Sequence, residues 1–181
     1  MKNIIKNILP PFLWDTLVYV KSHLHLLKYK RLLSKNKDLK DIHKGERCFI
    51  LGSGPSIKKQ DLKPLKNEIV FALNNFYVHD DFLGIMNNKE VAKYYMTAPI
   101  HPPQTEIEWK NWFVDMEKNV PINAKMLFGL NENKINIKFI LDKYNLFKKH
   151  LKFWYFEGRQ YKPIKKGQLK GMDITNAIYS G

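Results

Sequence analysis

The sequence predicts an α/β domain with a mostly parallel sheet and flanking helices, preceded by an amphipathic N-terminal helix. Three observations carry this. Short apolar runs recur from Arg47 onward, each the length of one strand. Segments of helical periodicity separate them, the pattern of crossover-connected parallel strands. The first 44 residues differ in composition and pattern from everything after them.

Those 44 residues hold ten Lys and Arg against three Asp and Glu, half of the formal charge of +14. Pro10 and Pro11 suit a helix entry. Leu13, Leu17, Val20, Leu24 and Leu27 then recur at spacings of four and three, one side of a helix. Trp14 and Val18 widen that side, and Lys21, His25 and Lys28 lie beside it. The polar stretch Ser34–Gly45 is a linker. Residues 1–44 are therefore expected to form a basic helical segment and linker, and residues 45–181 the α/β domain.

Within the domain, "RCFILG" is the first strand, with Cys48 expected in the core. "SIKKQDLKPL" is a short helix or turn broken near Pro64. "EIVFALN" and "KYYMTAP" are the second and third strands. Residues 104–118 are helical, since Trp109, Trp112, Phe113 and Met116 recur at i, i+3, i+4 and i+7. "AKMLFGL" is a fourth strand, "IKFILDKYNLF" a helix and "LKFWYFEG" a fifth strand. After "GMDITNAIYSG" a doubly wound sheet is expected to continue with a further helix, so the domain is expected to extend beyond Gly181.

A length of 181 residues, 44% hydrophobic and 13% aromatic, excludes a disordered chain and allows a sizeable core. One cysteine excludes a disulfide framework. No signal peptide and no membrane-spanning run is read. The positive charge favours an anionic partner. No nucleic-acid motif accompanies it, so nucleic acid is not the expected one. The six histidines are scattered and form no metal-ligand spacing, so no metal site is predicted.

In an open α/β sheet, ligands bind beyond the carboxyl ends of the strands. The first strand ends in Gly52-Ser53-Gly54-Pro55-Ser56. Glycine allows positive φ and close backbone approach, and successive amides at a helix start make an anion site. The alternative is an ordinary strand-to-helix loop. The segment is neither a dinucleotide fingerprint nor a P-loop, lacking the third glycine and the Gly-Lys-Ser/Thr ending. The second strand ends in Asn74 and Asn75, whose amides offer both donor and acceptor. The third ends near Thr97 and His101. His101, between prolines, is either a general base or a surface histidine in a rigid turn.

The stretch "FILGSGPSIKKQDLKPLKNEIVFALNNFY" resembles the N-terminal half of a group of bacterial surface-glycan enzymes. The group includes Campylobacter-type sialyltransferases, motility accessory factors and archaeal hydroxymethylpterin pyrophosphokinases. The resemblance implies a Rossmann-like sheet of a GT-A-like variant. It implies nucleotide-phosphate contacts from Gly52, Ser53, Gly54, Pro55 and Ser56, and a nucleotide contact from Asn74. Thr97-Ala98-Pro99 stands where the sialyltransferases have Asn-Pro, with Ala98 in place of that asparagine. Ser53 replaces an asparagine as well. Ser180 and Gly181 resemble a donor contact. The catalytic histidine of the group lies beyond Gly181, so no residue is assigned as catalytic.

The function expected on these grounds is a glycosyltransferase of capsule or lipopolysaccharide biosynthesis. It would use a sugar nucleotide (CMP-linked sugars are among the donors implied) and a glycan acceptor, with no other cofactor. A pterin-pyrophosphokinase-like phosphotransferase is the alternative; it would need carboxylates for magnesium, and Asp80-Asp81 is the adjacent pair. A further alternative is an inactive nucleotide-binding module at a membrane. Residues 8–33 are expected to attach the protein to the anionic cytoplasmic face of the inner membrane. The competing role for the leucine stripe is packing on the domain or on a second copy in an oligomer.

Overall fold

The structure, a computed structural model, describes residues 10–131 and 133–156. Five strands form one sheet: β1 (Cys48–Leu51), β2 (Ile69–Leu73), β3 (Lys93–Thr97), β4 (Lys125–Leu130) and β5 (Lys152–Phe156). Every neighbouring pair is parallel, and the order is β1-β2-β3-β4-β5. The helices are α1 (Pro11–Ser34), α2 (Phe82–Met86), α3 (Glu106–Asn119) and α4 (Ile137–Lys143). The expected α/β class is therefore present, with a wholly parallel sheet.

The strand order has a physical consequence. Right-handed crossovers that always step the same way put their connections on the same face of the sheet. The strand side chains divide accordingly. Val70, Ala72, Tyr95, Met126, Phe128 and Trp154 join the main core. Ile69, Tyr94, Leu127 and Phe153 form a smaller cluster, with Leu39 and Val91 packed against it.

Local chemistry explains the helix boundaries. Thr105 caps α3 in a capping box: its Oγ1 accepts from the Glu108 backbone N–H, and its own N–H donates to Glu108 Oε2 at 2.7 Å. Phe113 and Met116 are buried, while Trp109 and Trp112 sit at the core margin. Asn136 caps α4 by accepting from Phe139 N–H at 3.0 Å. That helix was expected to reach Phe147 but ends at Lys143. Asn145 and Phe147 adopt φ of 58° and 55°, which stops helical propagation. Phe147 is held there by burial against Phe113 and Phe128, and its N–H donates to Glu117 Oε1 at 2.6 Å.

Cys48 corrects another expectation: it is exposed. Among the described residues β1 is an edge strand, and Ile50 on it is 69% exposed.

Part of the N-terminal segment packs on the sheet. Tyr29 and Leu33 of α1 are buried in the main core. Asn36 then closes the outer edge of β5: its Nδ2 donates to Trp154 O at 2.5 Å, and its Oδ1 accepts from Trp154 N–H at 3.4 Å. The side-chain amide imitates a neighbouring strand. Farther on, His43 Nε2 lies 2.7 Å from the Tyr94 hydroxyl on β3. By contrast Leu13, Leu17, Val20, Leu24 and Leu27 are between 40% and 63% exposed. α1 thus carries apolar residues on two sides: the sheet takes Tyr29 and Leu33, and the leucine stripe is left outside.

His150 shows how burial couples to pH. Burial holds its imidazole below the ordinary value of 6.5; the Val120 carbonyl and Glu117 oppose this, and Lys152 adds to it. The unfolded chain therefore binds this proton more readily than the folded one. The associated stability is present above about pH 6.5 and is lost as pH falls through the lower folded value. Thermal unfolding between about pH 7 and pH 5 should show this loss. His150→Gln, which keeps a donor for the Val120 carbonyl, should flatten it. A slope unchanged by the substitution would rule the coupling out.

Candidate functional site at the carboxyl ends of the strands

Because all five strands are parallel, their carboxyl ends lie along one edge of the sheet. Leu51 of β1 is in register with Ala72 of β2, and Leu73 with Met96 of β3. Adjacent strands are about 4.8 Å apart. The Gly52–Ser56 segment and Asn74 therefore leave the sheet side by side.

The turn after β1 is not built as the sequence suggests. Neither Gly52 nor Gly54 has positive φ; among the described residues Gly45 is the glycine that does. Gly54 is extended, at φ −68° and ψ 152°. A 3-10 turn, Pro55–Lys59, follows, within the short helix or turn read there from the sequence. A β-carbon added at Gly52 or Gly54 would meet nothing within 4 Å. The fold itself thus sets no requirement for glycine at either position. The N–H groups of Ser53 and Gly54 meet no acceptor among the described residues. Ser53, Gly54, Pro55 and Ser56 are exposed, as are Lys58 and Lys59.

Asn74 adopts φ 50°, where asparagine is tolerated better than most residues. Its Oδ1 accepts from Ala98 N–H at 3.1 Å, joining the end of β2 to the segment after β3. The Tyr95 hydroxyl donates to its carbonyl. Burial pushes that phenol well above its ordinary range, so it remains a donor. Asn74 is exposed, and its Nδ2 makes no hydrogen bond among the described residues. Asn75 accepts from Trp112 Nε1 at 2.6 Å, which anchors it to α3.

Thr97 lies inside rather than at the open edge. Its side chain is fully buried and its hydroxyl has no partner among the described residues. It lies two residues beyond Tyr95 on β3, so strand alternation turns both to the covered face. Thr97 therefore offers a ligand no surface in this structure. His101 is exposed; its Nδ1 lies 2.7 Å from Pro102 O and so carries the proton given to that carbonyl, and its ring meets Trp109 edge-on. Ser180 and Gly181 lie outside the described residues.

Asn131, which sequence reasoning missed, follows β4 at the same edge. Its Nδ2 donates to Ile100 O at 2.6 Å and its Oδ1 accepts from Asn133 N–H. The signal was available: an asparagine directly after an apolar run, as at Asn74. Asp80 and Asp81 precede α2. No group of three His, Cys, Asp or Glu side chains among the described residues is placed to hold a metal ion.

Together the fold and this edge define the class: a wholly parallel α/β sheet with a glycine-rich, polar carboxyl-end margin. Comparison with protein-family models, curated proteins and solved structures finds no match.

Proposed function

We propose that the protein is a glycosyltransferase of bacterial surface-polysaccharide biosynthesis that binds a sugar nucleotide against Gly52–Ser56 and Asn74. One observation carries this reading. Gly52 and Gly54 are required neither by backbone conformation nor by a neighbouring atom. Open space beside two backbone N–H groups without acceptors is what close approach of a phosphate needs.

In the reaction, an acceptor hydroxyl attacks the anomeric carbon of the donor sugar. The bond from that carbon to the phosphate oxygen breaks, and the nucleotide departs with the electron pair. The Ser53 and Gly54 amides and the Ser53 and Ser56 hydroxyls would stabilise the charge on that phosphate. The hydroxyl proton goes to a general base, to which no described residue is assigned.

Rossmann-like, GT-A-like winding belongs to this proposal. A reversal of strand order would need a later strand beside β1, whose outer edge is unpaired among the described residues. Peripheral attachment to the cytoplasmic face of the inner membrane also belongs to it, supported by the exposed stripe of α1. No helix among the described residues is long and apolar enough to cross a membrane.

Gly54→Val tests the site, because the added atoms meet no protein neighbour. The native protein should bind a cytidine, uridine or guanosine nucleotide at millimolar concentration or below. The variant should bind it at least about tenfold more weakly, a loss of ~1.4 kcal/mol, with an unchanged melting temperature. Calorimetric titration measures both proteins. Absence of binding by the native protein, or equal binding by the two, overturns the assignment.

A further inference from the structure

A cleft of about 530 Å³ opens where the C-terminal end of α1 meets β5. Five cations from separate parts of the chain line it: Lys28, Arg31 and Lys35, then Lys138 on α4, then Lys152 on β5. Only Lys138 among them has a carboxylate partner among the described residues, Asp142. Lys152 donates to Phe147 O at 3.0 Å, and Lys28 and Lys35 lie over the rings of Tyr29 and Phe153. His150 also lines the cleft. It is 8% exposed; its Nε2 faces Val120 O at 3.2 Å, and its Nδ1 is buried without a hydrogen-bond partner.

Cations gathered around one concavity repel one another, and an anion relieves that repulsion. Arg31 offers a planar fork suited to phosphate, and the lysines add point charges. Leu32 and Trp154 supply apolar wall, so the cleft suits a phosphate joined to a small organic group rather than a bare ion. The site lies at the β5 edge. The Gly52–Ser56 turn is at the β1 edge, four strand spacings or about 19 Å across the sheet.

The helix indicates the source of the phosphate. Leu13, Leu17, Val20, Leu24 and Leu27 continue at the same spacing into Arg31, with Lys35 four residues on. One side of the chain thus runs from exposed leucines into the cationic cleft. An anionic bilayer presents that sequence of chemistries, acyl chain and then phosphate.

We propose that this cleft binds the phosphate of an anionic phospholipid and so fixes how the protein sits on a bilayer. The lipid source rests on the membrane-facing reading of α1; the phosphate chemistry rests on the cleft alone.

The test uses the full chain with vesicles of phosphatidylcholine, with and without phosphatidylglycerol, and with soluble glycerophosphate. Arg31→Gln with Lys35→Gln should weaken binding to the anionic vesicles at least about tenfold, since each basic residue near such a surface contributes about fivefold. Lys63→Gln with Lys89→Gln removes the same charge from exposed sites elsewhere and should cost less than about twofold. Glycerophosphate should shift the His150 ring signals in NMR spectra. Leu17→Ser with Leu24→Ser should abolish vesicle binding and leave that shift intact. Equal losses in the two glutamine pairs would mean diffuse attraction and overturn the site. No His150 response to glycerophosphate overturns the phosphate assignment. A response without preference for anionic vesicles makes the ligand a soluble phosphate and overturns the lipid source. Nucleotide binding by the Arg31/Lys35 variant should remain native, which separates this proposal from the strand-end site.

Discussion

Gly129→Val is expected to destabilise the protein by about 3 kcal/mol or more, at the upper end of overpacking costs. A β-carbon at position 129 would lie 2.5 Å from Pro99 Cδ and 2.6 Å from Pro99 N. The second of these is backbone, so no rotamer change relieves the clash. β3 and β4 would have to separate where Thr97 pairs with Phe128. For a chain of this size the melting temperature should fall by about 6–12 °C. Urea unfolding supplies the free energy, and a change below about 1 kcal/mol would refute the close approach. The damage should also reach the candidate site, because Pro99 adjoins Ala98, whose N–H donates to Asn74. At Gly54 the surroundings differ: glycine at 129 makes room for the protein's own chain, whereas a β-carbon at 54 would meet open space.

Two truncations should behave in opposite ways. Removing residues 1–27 takes away the exposed leucine stripe and should leave the domain cooperatively folded. Removing residues 1–44 should abolish cooperative folding. It strips Tyr29 and Leu33 from the core, each contributing ~1.5–3 kcal/mol by burial. It also removes Asn36 and leaves the backbone N–H and C=O of Trp154 unpaired, at about 1–3 kcal/mol for each group. Leu39 goes too, thinning cover on the second face of the sheet. Losses of this size are comparable with the whole stability of a typical domain, about 5–15 kcal/mol. Circular dichroism with urea unfolding distinguishes the outcomes. A shorter truncation that unfolds, or a longer one that keeps the native midpoint, would contradict this packing.

The candidate site was legible where a local signal was enough. Apolar runs ending at Leu51 and Leu73 marked two strand ends, and the parallel sheet does bring Gly52–Ser56 and Asn74 to one edge. The burial of Thr97 was not legible, because its exposure depends on which way alternation turns the end of β3 and on what covers that face. Asn131 was missed although the same strand-end signal was present. The cleft beside α1 had no compact signature, since its cations come from three separated stretches.

By itself the sequence determined the α/β class, the positions of the five strands, a helix read over residues 104–118 and found at Glu106–Asn119, and the leucine spacing of α1. These follow from periodicity and composition within a few turns or one strand, which a linear chain displays directly. Only the tertiary structure decided the strand order, the exposure of Cys48, the end of α4 at Lys143, and the use of Asn36 to close the β5 edge. Each of those depends on contacts between residues far apart along the chain. A segment's own pattern states which of its sides is apolar; it does not state which other segment will cover that side, and in α1 the leucine stripe is covered by none of the described residues.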